Sequence, residues 1–91
     1  MEKPGREITI HFHKDFQKRV LKYSHRKDAI NKAVKIFQTD FTDSRLKTHK
    51  LTGLLLGKWA FSVDYHLRIM FYFVDDKTIV FLDIGTHEIY K

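Results

Sequence analysis

The sequence predicts an α+β domain in which an N-terminal strand, a two-helix hairpin and a three-strand antiparallel meander form one twisted sheet with the helices on one face. Three observations predict it. Ile8, Ile10 and Phe12 alternate with polar residues; from Lys14 to Phe37 the apolar positions recur at helical spacing; and from Lys58 to Ile84 the alternation returns.

The first strand covers 7–12, with one apolar face. In the next segment Phe16 and Val20 stand four apart beside Leu21 and Tyr23, while Lys18, Arg19 and Lys22 fill the remaining surface, which makes a basic helix. Residues 24–27 interrupt it. Ala29, Ile30, Ala33, Val34 and Phe37 then give a second amphipathic helix, with Asp28 as its cap or first-turn acid. Residues 39–44, rich in Asp and Thr, end that helix, and 45–57 reads as a long connecting loop, a feature that in compact domains is usually functional or disordered. Three β-rich runs follow at 58–64, 67–74 and 78–84, the last two joined by the turn residues Asp75, Asp76 and Lys77.

Turn symmetry sets an expected register. A symmetric turn over 75–78 pairs Val74 with Ile79, Met70 with Asp83 and Arg68 with Gly85, and brings His66 opposite His87. A preceding turn centred on Tyr65 and His66 pairs Val63 with Arg68 and Trp59 with Tyr72. One sheet face then collects Ala60, Ile69, Phe71, Phe73, Val80, Leu82 and Ile84 for the helices. Trp59, Phe61, Val63, Arg68, Met70, Tyr72, Phe81 and Asp83 fall on the other, and a single-residue bulge would exchange the faces.

A chain of 91 residues has room for one domain, taken as 1–91. A 43% hydrophobic content with 8 Phe, 4 Tyr and 1 Trp supplies a core, and 4 Gly and 1 Pro argue against a disordered chain. With no cysteine, neither disulfides nor thiolate metal sites can form, which suits a cytoplasmic protein. No stretch has the length of a signal peptide's apolar region or a membrane span, so a soluble protein without a membrane partner is expected. The net charge of +6 is uneven: residues 1–50 carry 13 Lys and Arg against 6 acids, and 51–91 carry 4 against 5. Such an excess favours a polyanion, either nucleic acid or an acidic protein.

Two segments offer chemistry. At the end of the last strand Gly85 places His87 and Tyr90 beyond the sheet edge, near Arg68 if the register holds; the loop carrying Lys47, His49 and Lys50 supplies a second imidazole between lysines. Imidazoles with cations suit the attack of a ribose 2′-hydroxyl on its own 3′-phosphate. That reaction needs a base for the hydroxyl, an acid for the leaving 5′-oxygen and positive charge around the transition state, with no metal or other cofactor. It also restricts cleavage to RNA. Arg68, inside an apolar strand, is read either as a phosphate ligand or as the partner of Asp83 or Asp64, and no HExxH-like spacing marks a metal site. His11, His13 and His25 read as surface residues.

The segments HKLTG, GKWAFSV, LRIMF and IGTHEIYK, in that order and spacing, resemble the C-terminal half of the RelE/ParE toxin superfamily on its mRNA-interferase side. They cover about half of the chain; across 1–45 only the order and length of elements are similar. The resemblance implies a RelE-like fold and a type II toxin held by a cognate antitoxin, here an acidic protein. It implies an endoribonuclease that cleaves mRNA, commonly at the ribosome, and so inhibits translation. It also implies that Arg68 binds the scissile phosphate, that His87 acts on the leaving group and that Tyr90 is the C-terminal tyrosine used in some members. His49 matches a loop histidine, read as the base with His87 as the acid; Lys47, Lys50 and Lys58 match phosphate-binding positions. His66 stands where some relatives carry an acid, and its expected nearness to His87 makes it a second candidate at the RNA. The gyrase-inhibiting branch of the same superfamily and a non-catalytic nucleic-acid-binding module are the alternatives; the set His49, Arg68 and His87 speaks against the first.

Overall fold

A computed structural model describes residues 8–86 and Ile89. Strand β1 (Thr9–Phe12) leads into helix α1 (Lys14–Val20), which begins where the His13 ring accepts a hydrogen bond from the Asp15 N–H. The expected hairpin does not form. Instead of a loop, six residues of 3₁₀-helix, Leu21–Arg26, join α1 to helix α2 (Lys27–Thr39). Residues 24–27 contain no Gly or Pro, so the backbone tightens to i→i+3 bonding rather than leaving the helix, and departs from helical angles at Tyr23 (φ −114°, ψ 28°). Asp28 lies in the first turn of α2, and the helix ends at Asp40, whose N–H bonds the Ile36 carbonyl.

The loop expected at 45–57 is also corrected. It holds a 3₁₀ turn at Ser44–Leu46, a two-residue strand β2 (His49–Lys50) and a second 3₁₀ turn at Gly53–Leu55. Strands β3 (Trp59–Ser62), β4 (Arg68–Asp75) and β5 (Thr78–Gly85) complete the set. The sheet therefore has five strands and is mixed, in the order β1-β5-β4-β3-β2, not an N-terminal strand plus three. β2 to β5 run antiparallel to their neighbours, while β1 pairs parallel to β5. The two elements of the first half pass behind the sheet to bring the chain to its other edge, as a parallel crossover requires.

Register explains which residues make the core. Both ends of the β4–β5 pairing sit as turn symmetry predicts, Asp75 opposite Thr78 and Arg68 opposite Gly85, but the middle is displaced by one, with Phe73 opposite Ile79 and Phe71 opposite Phe81. Two compensating bulges produce this, and Val74 does not meet Ile79. The β3–β4 turn is centred on Tyr65 rather than between Tyr65 and His66: the Val63 N–H bonds the Leu67 carbonyl at 2.8 Å, and Trp59 pairs with Phe71 rather than Tyr72. Phe61, Trp59, Val63 and Phe81 thereby join Ile69, Phe71, Ile79 and Ile84 against the helices, whereas Ala60 and Leu82 move to the open face. Phe37 of α2 closes the core, its ring 4.6 Å from Phe61, 5.0 Å from Phe71 and 5.6 Å from Phe81. No helix among the described residues is long and apolar enough to cross a membrane.

Candidate functional site

Arg68 opens β4 in the middle of the sheet, with Ser62 on one side and Gly85 on the other. The turn that delivers it is organised by Asp64, whose Oδ1 accepts from the N–H groups of His66 and Leu67, both at 2.9 Å. Leu67 anchors the turn in the core. The Asp64 carboxylate also pairs with Arg26 from the 3₁₀ segment, and Asp83 pairs with Arg19 at 3.0 Å. Both acids named as structural partners for Arg68 are thus engaged by other arginines. The Arg68 guanidinium donates only to carbonyl oxygens, those of Tyr65 (3.2 Å) and Asp64 (3.4 Å), and forms no ion pair among the described residues. A half-buried guanidinium with no counter-charge among the described residues is poised for an anion. It lines a pocket of about 350 Å³ with Tyr65, His66 and Thr86.

His87 follows Thr86 directly, but His87 and Tyr90 lie outside the described residues. Gly85 was expected to break the strand. It is instead the buried last residue of β5, where a Cβ would stand 2.5 Å from the Ile89 Cγ2, so the missing side chain leaves room for Ile89.

His49 sits on β2 opposite Ala60, which is opposite Met70, and so shares the open face with Arg68. Two strands across and two residues along separate their Cα atoms by roughly 12 Å. The His49 Nδ1 lies 3.0 Å from the Lys47 carbonyl; a carbonyl can only accept, so in this contact Nδ1 carries the proton. Lys47 is exposed and left-handed (φ 51°). Lys58, two residues before Ala60, falls on the His49 face by alternation. Lys50 does not join them: its Nζ lies 5.6 Å from the Trp59 ring centroid, on the helix side. The structure therefore brings Arg68 and His66 into one pocket and keeps His49 and Lys58 nearby on the same face. Tyr65 and Thr86, the other two pocket residues, were not singled out by sequence; an aromatic at a turn tip was the available signal for Tyr65.

No protein-family model matches the chain, and no curated protein sequence does. Solved structures do. YafQ from E. coli strain BL21(DE3) aligns over 91% of this chain and 97% of its own, with a TM-score of 0.65 at 19% identity. The E. coli DinJ–YafQ toxin–antitoxin complex matches over 92% and 97%, with a TM-score of 0.69 at 20% identity. The YoeB dimer of Staphylococcus aureus matches over 90% and 99%, with a TM-score of 0.66 at 17% identity. The RelE-like fold is supported, and the structural neighbours are toxins of the RelE, YoeB and YafQ type.

Proposed function

We propose that this chain, sharing the fold of such toxins, is the toxin of a type II toxin–antitoxin pair and acts in the cytoplasm as an endoribonuclease on mRNA, at the ribosome. One observation carries the reading: Arg68 faces a pocket with no carboxylate partner among the described residues, because Asp64 and Asp83 are bonded to Arg26 and Arg19. A ribose 2′-oxygen attacks the adjacent phosphorus and the bond to the 5′-oxygen breaks, leaving a 2′,3′-cyclic phosphate and a 5′-hydroxyl. Arg68 holds the phosphoryl oxygens, with Lys47 and Lys58 adding positive potential. His49 takes the 2′-proton and His87 protonates the leaving oxygen, with Tyr90 as the C-terminal tyrosine that some related toxins use. Imidazoles and cations suffice, with no metal or cofactor. Because His66 shares the Arg68 pocket, it is the competing base.

Cleavage of mRNA, free and on ribosomes, by single alanine variants is the test. Loss of about 10²–10⁴-fold is expected for His87→Ala and for the true base, so the larger loss between His49→Ala and His66→Ala identifies it. Full activity in both His87→Ala and His49→Ala overturns their assignment as acid and base. Intact RNA with inhibited DNA supercoiling would place the chain with gyrase inhibitors instead. The antitoxin would be an acidic segment lying along the groove formed by Asp15, Lys18, Arg19, Leu21 and Lys22, where three cations outnumber one acid and Leu21 is 73% exposed. Coexpression with the product of a neighbouring acidic reading frame checks this by co-purification.

A further inference from the structure

The turn ahead of β4 presents an aromatic ring that its fold does not use. Asp64 supplies the internal bonds, Arg26 fixes Asp64, and Leu67 anchors the turn at 1% exposure. Tyr65 belongs to neither apolar cluster and is 85% exposed. Turn tips ordinarily carry small polar residues that favour the backbone. The Tyr65 ring instead stands edge-on to the His66 imidazole, their centroids 4.8 Å apart at 78°.

Its position relative to Arg68 gives this ring a use. The Tyr65 carbonyl accepts from Arg68 Nη1 at 3.2 Å, so ring and guanidinium are about one side chain apart, and both line the same pocket. A single-stranded polynucleotide offers matching chemistry at that scale, a charged phosphate joined through a sugar to a flat base with an exposed π-face. Unpaired bases are held on aromatic rings largely without regard to sequence, whereas paired bases are already stacked and unavailable.

We propose that Tyr65, backed by His66, is the stacking platform for the base of the nucleotide whose phosphate Arg68 holds, so that the pocket takes an unpaired nucleotide rather than a bare phosphate or a duplex. This rests on the ribonuclease reading of the pocket and adds to it a residue that contacts the base.

The test is fluorescence-anisotropy titration of a short single-stranded RNA, made uncleavable by 2′-O-methyl sugars, and of a matched series carrying one abasic position each. Tyr65→Ala weakens binding roughly 5- to 100-fold, the effect of removing one base–aromatic stack. Tyr65→Phe stays close to wild type, and the duplex form of the same RNA shows no Tyr65 dependence. On the oligonucleotide whose stacked base is missing, Tyr65→Ala costs nothing further. Thermal unfolding of Tyr65→Ala matches wild type because the ring is outside the core. Unchanged affinity in Tyr65→Ala, or an equal loss on every abasic oligonucleotide, overturns the platform. If Arg68→Ala still weakens binding in that case, the ribonuclease reading survives alone; if wild type and Arg68→Ala both fail to bind RNA, the two fall together.

Discussion

Neighbouring residues of β4 live in two different environments. Ile69 and Phe71 are 0% exposed and, with Phe73, meet the helices, where Phe37 reaches Phe61, Phe71 and Phe81 in one cluster of rings. Arg68 and Met70 face the other way, onto the side where, among the described residues, Leu51, Ala60 and Met70 form a small cluster with Leu55, Leu82 and Ile89. The helix face supplies stability and the open face supplies charge and imidazole. Strand alternation keeps these duties one residue apart in sequence, so substitutions can separate them.

The largest effect is expected on the helix face. Phe71→Ala removes a ring in contact with Phe37, Trp59, Phe61 and Phe73, and costs about 3–5 kcal/mol. Urea unfolding measures it; a loss below about 1 kcal/mol, the scale of surface substitutions, would mean that the faces are not energetically divided. Next comes Arg68→Ala on the opposite face, expected to lower RNA cleavage about 10²–10³-fold. Its urea midpoint stays near wild type, since among the described residues Arg68 makes only two long bonds, both to carbonyls. Arg68→Lys restores only part of the activity, because a point charge cannot grip a phosphate bidentately. A variant that unfolds as readily as Phe71→Ala would break the comparison.

Asp64 joins the two faces, reaching Arg26 behind the sheet while shaping the turn that carries Arg68. Asp64→Ala leaves two backbone N–H groups without their acceptor, one of them part-buried, at a cost of about 1–3 kcal/mol. Cleavage falls with it, and Asp64→Asn, which keeps an acceptor oxygen, lies between the variant and wild type in both measurements. Unchanged cleavage in Asp64→Ala would detach the turn from the site.

The same turn shows where the sequence was legible. Alternation located β3, β4 and β5, and the short 75–78 turn placed Arg68 beside Gly85, because two bulges of opposite effect leave both ends of the ladder in step. Nothing in the letters marks Leu82 or Val74 as bulged, so the face of Phe81 was misread. The phase of β3 was recoverable in principle: an aspartate opening a turn tends to bond the N–H two residues on, which favours the three-residue turn at 64–66 over a two-residue one. The pairing of Asp83 with Arg19 and Asp64 with Arg26 is long-range, and local pattern carries no trace of it. That pairing, rather than the presence of an arginine in a strand, is what distinguishes Arg68.

The smallest effect lies in the segment leading to β2. Asp43 caps the 3₁₀ turn at Ser44–Leu46, and its carboxylate takes both the Arg45 Nε (3.0 Å) and Nη2 (2.9 Å), which holds its pKa down at about 2. A depressed folded-state value means that the ionised carboxylate favours the folded chain. The contribution is complete above the unfolded value near 3.8 and is lost as the pH falls through that value toward 2. Asp43→Asn should therefore unfold at a slightly lower temperature than wild type at pH 6, with the gap shrinking below pH 4 and closing near pH 2. Solvent screens this exposed pair, so 1 M salt should narrow the gap at pH 6. Cleavage measured at neutral pH should be unaffected unless the turn also positions Lys47 and His49. A drop in activity without a matching change in melting temperature would extend the open-face site back to this cap.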